Sequence, residues 1–319
     1  MTFPVLAAAQ KRQGRKITSN AIARGRRVRI DDTVQNSHRT DHSDARPSPS
    51  NRAVSGAKPF IKWAGGKRQL LGPILSSLPK EFGTFHEPFI GGGAVFFGLR
   101  PRAAVLYDQN ERLIRAYCGV KNSVETVINI LKTYRNDKGF FLKMRQEPVD
   151  DGSDAEVAAW LIFLNKTGFN GIYRVNSKNH FNVPYANNQR ARICDEDNLR
   201  ACAAALVSAE LRCADFAAVL ETARPGDAVY FDPPYIPISV TSYFTSYTTQ
   251  GFGLKEQVRL RDVALELRKR GVSVLLSNSS APAVTELYGP FFECVPVSAF
   301  RLVNSDPKGR GRITELLIK

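Results

Sequence analysis

The residues with the clearest chemical meaning lie in the stretch VYFDPPYIP, residues 229–237. An apolar run typical of a buried strand ends at Asp232, and two prolines and Tyr235 follow it. Proline has a fixed φ and no N–H, so Pro233 and Pro234 end the strand and keep the chain extended and rigid. The sequence therefore predicts a stiff corner that carries a carboxylate, fixed carbonyl groups and an aromatic ring.

This combination suits an exocyclic amine on a nucleobase as the substrate. Such an amine is a poor nucleophile, because its lone pair is delocalised into the ring. Hydrogen bonds from the amine to Asp232 and to the carbonyl of Pro233 would favour a tetrahedral nitrogen with an exposed lone pair. Tyr235 could stack on the base. The alternative, an acid and a ring that merely cap a Pro-Pro turn, explains less, because every residue type at the corner fits one chemistry.

A second candidate site is the glycine-rich run PFIGGGAVFF, residues 88–97. Gly91, Gly92 and Gly93 carry no Cβ and would let the backbone approach a ligand closely. The run does not match G-x-G-x-x-G, and a tight strand-to-helix turn explains it equally well in isolation. Asp108, at the end of the next predicted strand, strengthens the ligand interpretation, because an acid there accepts hydrogen bonds from vicinal ribose hydroxyls. Asp108 could instead cap the helix that follows it.

The stretch WAGGKRQ, residues 63–69, contains Gly-Gly-Lys but does not match a phosphate-binding P-loop. Ile61 stands where that motif needs its first glycine, and Arg68 stands where it needs Ser or Thr. Lys67, a lone lysine at the start of a predicted helix, is better suited to a carboxylate, helped by backbone N–H groups. A nucleoside triphosphate is therefore not the ligand that we expect.

Strands that alternate with helices must position these residues. Four predicted strand ends carry unusual residues, namely PFIGGG, YDQN, ADF and FDPPY. The alternation predicts an α/β fold with a doubly wound sheet, in which ligands bind at the carboxyl ends of the strands. The predicted helical residues 122–165 and the polar loop 167–187 do not fit the alternation and indicate an inserted, mainly helical subdomain. The segments 290–300 and 311–319 are expected to form a closing hairpin.

The charge of the chain indicates a polyanionic partner. The net charge is +15 and the pI is near 9.8, which favours nucleic acid. Residues 1–56 are rich in Arg and Ser and have little apolar periodicity, so we interpret them as a disordered basic extension. An organelle transit peptide or a misplaced start codon would look similar. The extension does not carry the whole charge, because the rest of the chain is also basic.

Other features exclude several classes of protein. No apolar run approaches the ~18 residues that a membrane span needs. The five cysteines form neither a C-x-x-C pair nor a Cys/His cluster with zinc spacing. An odd, scattered set of this kind is typical of free thiols in a reducing compartment.

Taken in order, these motifs resemble the Dam-like, D12 class of N6-adenine DNA methyltransferases over residues 58–319. FIKWAGGKRQLL resembles the first motif of the family, EPFIGGGAVFF its cofactor glycine motif, YDQNERLI its ribose-binding acid and FDPPY its catalytic tetrapeptide. NKTGFNGIYRVN with FNVPY resembles its target-recognition loop, and VNSDPKGRGRITELLI its C-terminal hairpin. The resemblance implies a Rossmann-like methyltransferase sheet and S-adenosylmethionine as the methyl donor, with no metal and no covalent enzyme intermediate.

The resemblance also implies roles for individual residues. The catalytic set would be Asp232, Pro233, Pro234 and Tyr235. The cofactor-binding set would be Trp63 and Lys67 for the methionine part, Glu87, Pro88, Phe89 and Gly91 along the glycine turn, Asp108 for the ribose hydroxyls, Asp215 and Phe216 for the adenine, and Asp232 for both the amino end of the cofactor and the target amine.

Duplex DNA is the substrate that the resemblance implies, and the target base must leave the duplex to reach such a pocket. Phe169 and Asn170 would enter the helix beside the flipped base, and Lys62 and Arg174 would read guanine edges. GATC is the site that we expect. For Phe169 the alternative is ordinary loop packing, and for Arg174 nonspecific contact with phosphates is an equal alternative.

This interpretation divides the chain into four parts. They are a basic extension (1–56), a first catalytic part with the cofactor motifs (57–117), an inserted target-recognition subdomain (118–195) and a second catalytic part with the DPPY motif and the hairpin (196–319). We further expect a cytoplasmic, nucleoid-associated monomer, and we consider a cognate restriction endonuclease as its partner.

Two rival functions use the same features. An RNA or protein N-methyltransferase of the same fold would share the corner at 232–235, but such families usually lack an insertion before the catalytic strand. A DNA-binding module that has lost catalysis would keep the basic charge. The intact Trp63, Lys67 and Asp108 argue against that loss. Binding of S-adenosylmethionine would separate an active enzyme from such a module, which should not bind this cofactor.

Overall fold

The computed structural model of the chain describes residues 56–236, 252–300 and 312–319. The strands in these ranges form one seven-stranded sheet. They are β1 (Phe85–Glu87), β2 (Ala104–Asp108), β3 (Ala209–Cys213), β4 (Ala228–Phe231), β5 (Ser273–Ser279), β6 (Cys294–Phe300) and β7 (Arg312–Ile318). The helices are α1 (Leu71–Ser77), α2 (Ala94–Leu99), α3 (Glu111–Thr133), α4 (Lys138–Met144), α5 (Asp154–Thr167), α6 (Glu196–Leu206), α7 (Val219–Thr222), α8 (Leu254–Lys269) and α9 (Pro282–Tyr288). The predicted basic extension, up to residue 55, and the segment that joins β6 to β7 lie outside the described residues.

Alternate residues of the central strands enter two separate apolar cores. In β4, Ala228 and Tyr230 pack in one core, while Val229 and Phe231 pack in the other. Helices α1 to α6 contribute to the first core, and α7, α8 and α9 contribute to the second. Because side chains alternate across a strand, a strand covered on both faces needs apolar residues throughout, which the run AVYF provides. The predicted doubly wound α/β fold is confirmed.

The order of the strands places a crevice beside the catalytic corner. The sheet order is β3-β2-β1-β4-β5-β7-β6, and β1 to β5 pair in parallel. β1 and β4 are neighbours, with Phe85 opposite Ala228. The sheet continues through β2 and β3 on one side of this pair and through β5 on the other. The carboxyl ends of these two strands, at Glu87 and Phe231, therefore border the point at which open α/β sheets bind ligands.

The predicted closing hairpin is present as β6 and β7, which pair antiparallel with Cys294 opposite Ile318. β7 lies between β5 and β6, and its Glu315 is opposite Ser279 at the end of β5. The hairpin thereby brings an acid from the end of the chain to the same edge of the sheet as Asp232.

The helices of the predicted insertion pack directly on the sheet domain. Asn110 caps the start of α3, because its side chain accepts the N–H of Leu113 at 3.1 Å. The helix continues past residue 118 and has a kink at Ser123. α5 packs closely on α3, because a Cβ at Gly119 would lie 2.2 Å from the carbonyl oxygen of Asp154. Both helices contribute to the first apolar core. The division of the chain at residues 118 and 195 stays a prediction.

Two further features of the described ranges bear on function. No helix in residues 56–236, 252–300 and 312–319 is both long and apolar enough to cross a bilayer. The same ranges hold no group of three or more His, Cys, Asp or Glu side chains arranged to bind a metal ion. The five cysteines are free thiols.

Candidate active site

A cavity of about 910 Å³ opens at the carboxyl ends of β1 and β4. All four predicted catalytic residues, 232–235, line it. Most of the predicted cofactor-binding residues also line it, namely Trp63, Lys67, Pro88, Phe89, Gly91, Asp108, Asp215 and Phe216. The structure thus brings together, in one cavity, residues that lie more than 150 positions apart in the sequence.

An ion pair lies at the catalytic corner. Lys67 Nζ is 2.8 Å from Asp232 Oδ1 and also donates to the carbonyl oxygen of Gly65 at 2.6 Å. Burial raises the pKa of Asp232, whereas Lys67 and the hydroxyl of Ser277, which donates to Oδ1 at 3.0 Å, oppose that rise. Both contacts engage Oδ1, so Oδ2 is the atom best suited to accept a hydrogen bond from a ligand.

Tyr235 is held from the opposite side by the C-terminal hairpin. Its hydroxyl donates to Glu315 Oε2 at 2.7 Å, and Lys67 Nζ lies 4.7 Å from the centre of its ring. Burial raises the pKa of Tyr235, so the hydroxyl stays a neutral donor. The ring is therefore fixed at both its edge and its face, which suits an aromatic side chain that stacks on a planar base.

The proline corner is fixed from behind by α8. Gln257 Nε2 donates to the carbonyl oxygen of Pro234 at 3.0 Å, and Gln257 is fully buried. Ser279 of β5 also donates its hydroxyl to the carbonyl oxygen of Ile236 at 2.6 Å. Side chains from two other elements therefore hold the backbone that leaves the catalytic strand.

The glycine turn after β1 brings the backbone at Gly91 to the wall of the cavity. Gly91 has φ +46°, and a Cβ there would lie 2.7 Å from Trp63 Cδ1, so only glycine allows this approach. Gly93 has φ +70° and precedes α2. Tyr117 Oη donates to the carbonyl oxygen of Gly91 at 3.0 Å. The turn is thus packed between a tryptophan and a tyrosine, as a close ligand contact requires.

Asp108 ends β2 with its carboxylate facing this turn. Its Oδ2 accepts the N–H of Gly91 at 3.2 Å, and its Oδ1 accepts the N–H of Asn110 at 2.9 Å. Burial raises the pKa of Asp108, and these N–H donors oppose the rise. A carboxylate offers about four acceptor sites, so Asp108 can still accept hydrogen bonds from hydroxyl groups. The predicted helix cap is provided by Asn110 instead.

A cluster of aromatic rings, Phe89, Phe216 and Phe252, lines part of the cavity. Phe89 and Phe216 stack with ring centres 5.5 Å apart and planes inclined at 25°, so they contact each other directly. The guanidinium of Arg259 lies 4.5 Å from the centre of the Phe216 ring. Phe252 lies 5.6 Å from Phe89. This aromatic cluster offers an apolar surface that suits a planar heterocycle.

Asp215 lies next to Phe216 in the cavity wall, and its carboxylate accepts several hydrogen bonds. Burial by itself would raise its pKa, but hydrogen bonds from Arg259 and from the N–H of Ala217 hold the pKa below its usual value. The Ala217 bond is 2.9 Å long, and Gln109 Nε2 donates to Asp215 Oδ2 at 2.7 Å. Asp215 therefore remains ionised, and Gln109, Ala217 and two guanidinium nitrogens of Arg259 occupy its acceptor positions in this structure.

Glu87 does not line the cavity. It is 2% exposed, and its Oε2 accepts the N–H of Phe96 at 3.0 Å at the start of α2. Burial raises the pKa of Glu87 well above its usual value, and the charge of Asp232 adds to the rise. Its contact is therefore with the helix that follows the glycine turn, whereas its neighbour Pro88 faces the cavity.

The predicted DNA-binding residues lie outside the cavity and are exposed. Phe169 is 52% exposed, and the exposed Asn170 has φ +56° in the turn Phe169–Gly171. Arg174 is exposed and donates through Nε to Asn182 Oδ1 at 2.7 Å. Lys62 is exposed beside the same turn, because a Cβ at Gly171 would lie 2.6 Å from its Cδ. The structure brings Lys62 to the turn but gives no direct contact between Lys62 and Arg174.

Sequence reasoning missed several residues of the site. Gln109, Phe252, Glu256 and Arg259 also line the cavity, and Ser277, Gln257 and Glu315 hold the catalytic corner from behind. One signal was present for Gln257. In α8 it falls on the buried face with Leu260 and Ala264, where a polar side chain needs a partner.

The lining of the cavity fits an adenosyl sulfonium cofactor. The aromatic cluster suits a planar heterocycle, Asp108 can accept hydrogen bonds from hydroxyl groups, and the Lys67–Asp232 pair offers charges of both signs for an amino-acid end. The volume of about 910 Å³ leaves space for a second planar ring beside Tyr235.

Comparisons with known proteins agree with this geometry. The sequence pattern of the D12 class N6 adenine-specific DNA methyltransferases matches residues 63–302. The chain is 43% identical to Type II methyltransferase M1.LlaDCHI of Lactococcus lactis subsp. cremoris over 269 residues, which cover 82% of this chain and 94% of the relative. It is 39% identical to Type II methyltransferase M.MjaIII of Methanocaldococcus jannaschii, with 82% and 98% covered. It is 34% identical to the DNA adenine methylase of Haemophilus influenzae, with 82% and 92% covered.

Proposed function

The chain belongs to the D12 class N6 adenine-specific DNA methyltransferase family and is an adenine-specific DNA methyltransferase, and from this premise we propose its donor and its site. The donor is S-adenosylmethionine, and the acceptor is N6 of an adenine turned out of duplex DNA. The site is GATC. One observation carries the proposal. Lys67 and Asp232 form an ion pair with a distance of 2.8 Å, and this pair lines the same cavity as Tyr235.

The cofactor would be held by residues from each strand end. Trp63 and Lys67 take its amino-acid end, Pro88, Phe89 and Gly91 form the turn against it, and Asp108 accepts the ribose hydroxyls. Asp215 and Phe216 take its adenine. When bound, S-adenosylmethionine supplies an electrophilic methyl group on a sulfonium. The Glu87 carboxyl acts indirectly, because it binds the start of α2 and so supports the turn.

The chain activates the amine through preorganised acceptors. Asp232 accepts one N–H of the target amine and the carbonyl oxygen of Pro233 accepts the other, so the nitrogen lone pair is no longer fully delocalised into the ring. Tyr235 stacks on the base, and its hydroxyl bond to Glu315 keeps the ring in place. These acceptors are fixed before the substrate arrives, so no reorganisation is needed during the reaction.

Recognition of the site would fall to four residues outside the cavity. Phe169 and Asn170 enter the duplex beside the flipped adenine, and Lys62 and Arg174 read guanine edges. Their exposure in the described structure supports this assignment, since a side chain packed in the core could not reach DNA. The resemblance of residues 165–176 to the target-recognition loop of the family supports GATC, and one similar protein carries the name DNA adenine methylase.

We also propose the biological setting. Two of the similar proteins carry the name type II methyltransferase, which supports a role in restriction-modification with a cognate endonuclease as partner. The enzyme acts as a cytoplasmic, nucleoid-associated monomer. The part 118–195 serves as the recognition segment between two catalytic parts, 57–117 and 196–319.

Methylation of plasmid DNA tests the proposal directly. Purified protein is incubated with labelled S-adenosylmethionine and unmethylated plasmid, and the product is sequenced by a method that detects modified bases. We expect N6-methyladenine confined to GATC. Modification at another motif would contradict the site, and label in added RNA or protein with none in DNA would contradict the substrate.

Asp232→Ala tests the catalytic assignment in the same assay. We expect a loss of turnover of at least about 10²-fold, because one preorganised acceptor is removed. Circular dichroism checks that the variant is folded, since Lys67 is left without its partner. Turnover close to that of the wild type would contradict the assignment.

Arg174→Ala tests site recognition. We expect methylation at sites that differ from GATC by one base pair, with turnover at GATC reduced less than the discrimination between sites. Arg102→Ala is the matched control, because Arg102 is also exposed but lies between α2 and β2, outside the part 118–195. A uniform loss of DNA affinity at all sites would assign Arg174 to phosphate contact instead.

A further inference from the structure

The side chain of Asn165 joins two distant segments of the chain. Asn165 is 1% exposed near the end of α5. Its Oδ1 accepts the N–H of Lys62 at 2.8 Å, and its Nδ2 donates to the carbonyl oxygens of Lys62 and Gly171, both at 2.8 Å. Both amide protons and the carbonyl of this side chain are therefore used on backbone groups of two other segments.

Two further contacts strengthen the same connection. Gly171 has φ +66°, and a Cβ there would lie 2.6 Å from Cδ of Lys62, so the segments approach as closely as glycine permits. The ring of Tyr173 stacks on Trp63 with centres 5.5 Å apart and planes inclined at 21°. Because Trp63 lines the cavity, the turn is attached to the cavity wall as well as to the segment of Lys62.

We propose that Asn165 is a positioning residue for the recognition of DNA sequence. It sets the spacing between Lys62 and the turn Phe169–Gly171, which carries the exposed Phe169 and Asn170. A buried amide whose bonds are all satisfied specifies one arrangement of its partners. Asn165 itself contacts neither DNA nor cofactor. The inference rests on the proposed role of Lys62 and of the turn in reading DNA.

Discrimination between sites is the measurement that tests the inference. Values of kcat/KM are determined on duplexes that carry the motif methylated by the wild type and on duplexes with one base pair changed. For Asn165→Ala we expect the ratio of the two values to fall about ten-fold or more, because a displaced base contact loses its discrimination. The Kd for S-adenosylmethionine, measured by calorimetry, is expected to stay unchanged.

Three companion variants separate positioning from stability. Asn165→Asp keeps an acceptor for the N–H of Lys62 but has no donor, so we expect an intermediate loss of discrimination. Gly171→Ala disturbs the contact from the turn and leaves α5 intact, so it tests the idea even if Asn165→Ala does not fold. Val157→Ala, fully buried on the same helix, should lower the Tm and leave discrimination unchanged.

Two results would overturn the inference. One is wild-type discrimination in a folded Asn165→Ala or, where that variant does not fold, in Gly171→Ala. The other is an equal loss of discrimination in Val157→Ala, which would make the effect a consequence of lower stability. Absence of DNA methylation by the wild type is a different result, because it would contradict the proposed function before the variants are compared.

Discussion

Gln257 acts on the catalytic corner without facing the cavity. Its Nε2 donates to the carbonyl oxygen of Pro234 at 3.0 Å. Its Oε1 accepts hydrogen bonds from Asn278 Nδ2 at 3.1 Å and from Tyr288 Oη at 2.9 Å. The side chain is fully buried, so each of these bonds lies in a region of low dielectric where an unpaired polar group is costly. The position of the Pro234 carbonyl therefore depends on a network that reaches from α8 to β5 and α9.

Replacement of Gln257 by leucine should lower turnover more than cofactor affinity. The variant leaves the Pro234 carbonyl without its donor, so we expect kcat to fall about 10-fold or more because the acceptors at the corner are no longer fixed. Each polar group left unpaired costs about 1–3 kcal/mol of folding stability. Steady-state methylation gives kcat, calorimetry gives the Kd for S-adenosylmethionine, and urea unfolding gives the stability.

Tyr288→Phe is the matched control for this prediction. It removes the hydroxyl that contacts both the carbonyl oxygen and Oε1 of Gln257, and it leaves the bond between Gln257 and Pro234 intact. We expect a loss of stability with kcat close to that of the wild type. If Tyr288→Phe lowers kcat as much as Gln257→Leu, the network serves stability alone and Gln257 has no specific effect on the corner.

The central strands are linked by a buried histidine. His86 in β1 is 1% exposed, and its Nε2 lies 3.1 Å from Asp227 Oδ2, immediately before β4. Its Nδ1 lies 3.1 Å from the hydroxyl of Tyr107 in β2. Burial lowers the pKa of His86, the nearby Arg212 and Arg224 act in the same direction, and Asp227 opposes the change. The folded protein therefore favours the neutral imidazole.

The stability of the fold should consequently fall between about pH 7 and pH 5. In the unfolded chain His86 takes up a proton near its ordinary pKa of about 6.5, whereas in the folded chain it does so only at lower pH. The unfolded state thus binds more protons in this window, so the free energy of unfolding decreases as the pH falls. A single group changes it by at most about 1.4 kcal/mol per pH unit.

His86→Gln should flatten this dependence. Urea unfolding at pH 7.5 and pH 5.5 is compared for the wild type, His86→Gln and His180→Gln. We expect His86→Gln to be less stable at pH 7.5 and to lose less stability on acidification than the wild type. The same substitution at the exposed His180 should leave stability unchanged. Parallel losses in the wild type and His86→Gln would contradict the assignment of the pH effect to His86.

The elements that carry strong local patterns were predictable from the sequence. The apolar runs of β2 and β4 are buried on both faces, and these runs and their terminal acids indicated strands that end at a site. The final hairpin was also predicted. Its place in the sheet was not, because the position of β7 between β5 and β6 depends on packing between residues far apart in the chain. The region 122–165 was predicted as helical, but it contains α4, α5 and part of α3, with non-helical turns between them.

The candidate site likewise contains residues that the sequence indicated and residues that it did not. Asp108, Asp215 and Asp232 could be found because each stands at or just after the end of a predicted strand, and the structure places all three on one cavity. Ser277 and Glu315 could not be found, because they reach Asp232 and Tyr235 only after β5 and β7 have taken their places in the sheet. Local sequence thus indicates the groups that face a ligand, while the groups that hold them are set by tertiary packing.

The charge of the whole molecule is unevenly distributed along the chain. Residues 1–55 contain 11 Lys and Arg and 4 Asp, so the remaining residues hold 34 basic and 26 acidic side chains, a net charge of +8 against +15 for the full chain. Nearly half of the excess therefore belongs to a segment outside the described residues. Because phosphate contacts carry no sequence information, this excess should change DNA affinity rather than site choice.

Salt dependence measures this contribution. The Kd for a labelled duplex without the methylation motif is determined by fluorescence anisotropy from about 50 to 200 mM salt. For a chain lacking residues 1–55 we expect weaker binding and a shallower plot of log Kd against log salt, by about 0.9 for each phosphate contact removed. The kcat at saturating DNA and the ratio of kcat/KM between sites should stay unchanged, because the cavity and the recognition turn lie in the retained part.

A variant of the same length isolates charge from deletion. The eight basic residues that precede Asp31 are changed to Gln, namely Lys11, Arg12, Arg15, Lys16, Arg24, Arg26, Arg27 and Arg29. If the segment acts through charge, this variant should reproduce the shallower salt dependence of the deletion. An unchanged slope in both variants would assign the phosphate contacts to the remaining basic side chains. A changed ratio between sites would mean that the segment takes part in recognition, which a purely electrostatic contribution cannot do, because counterion release is the same at every sequence.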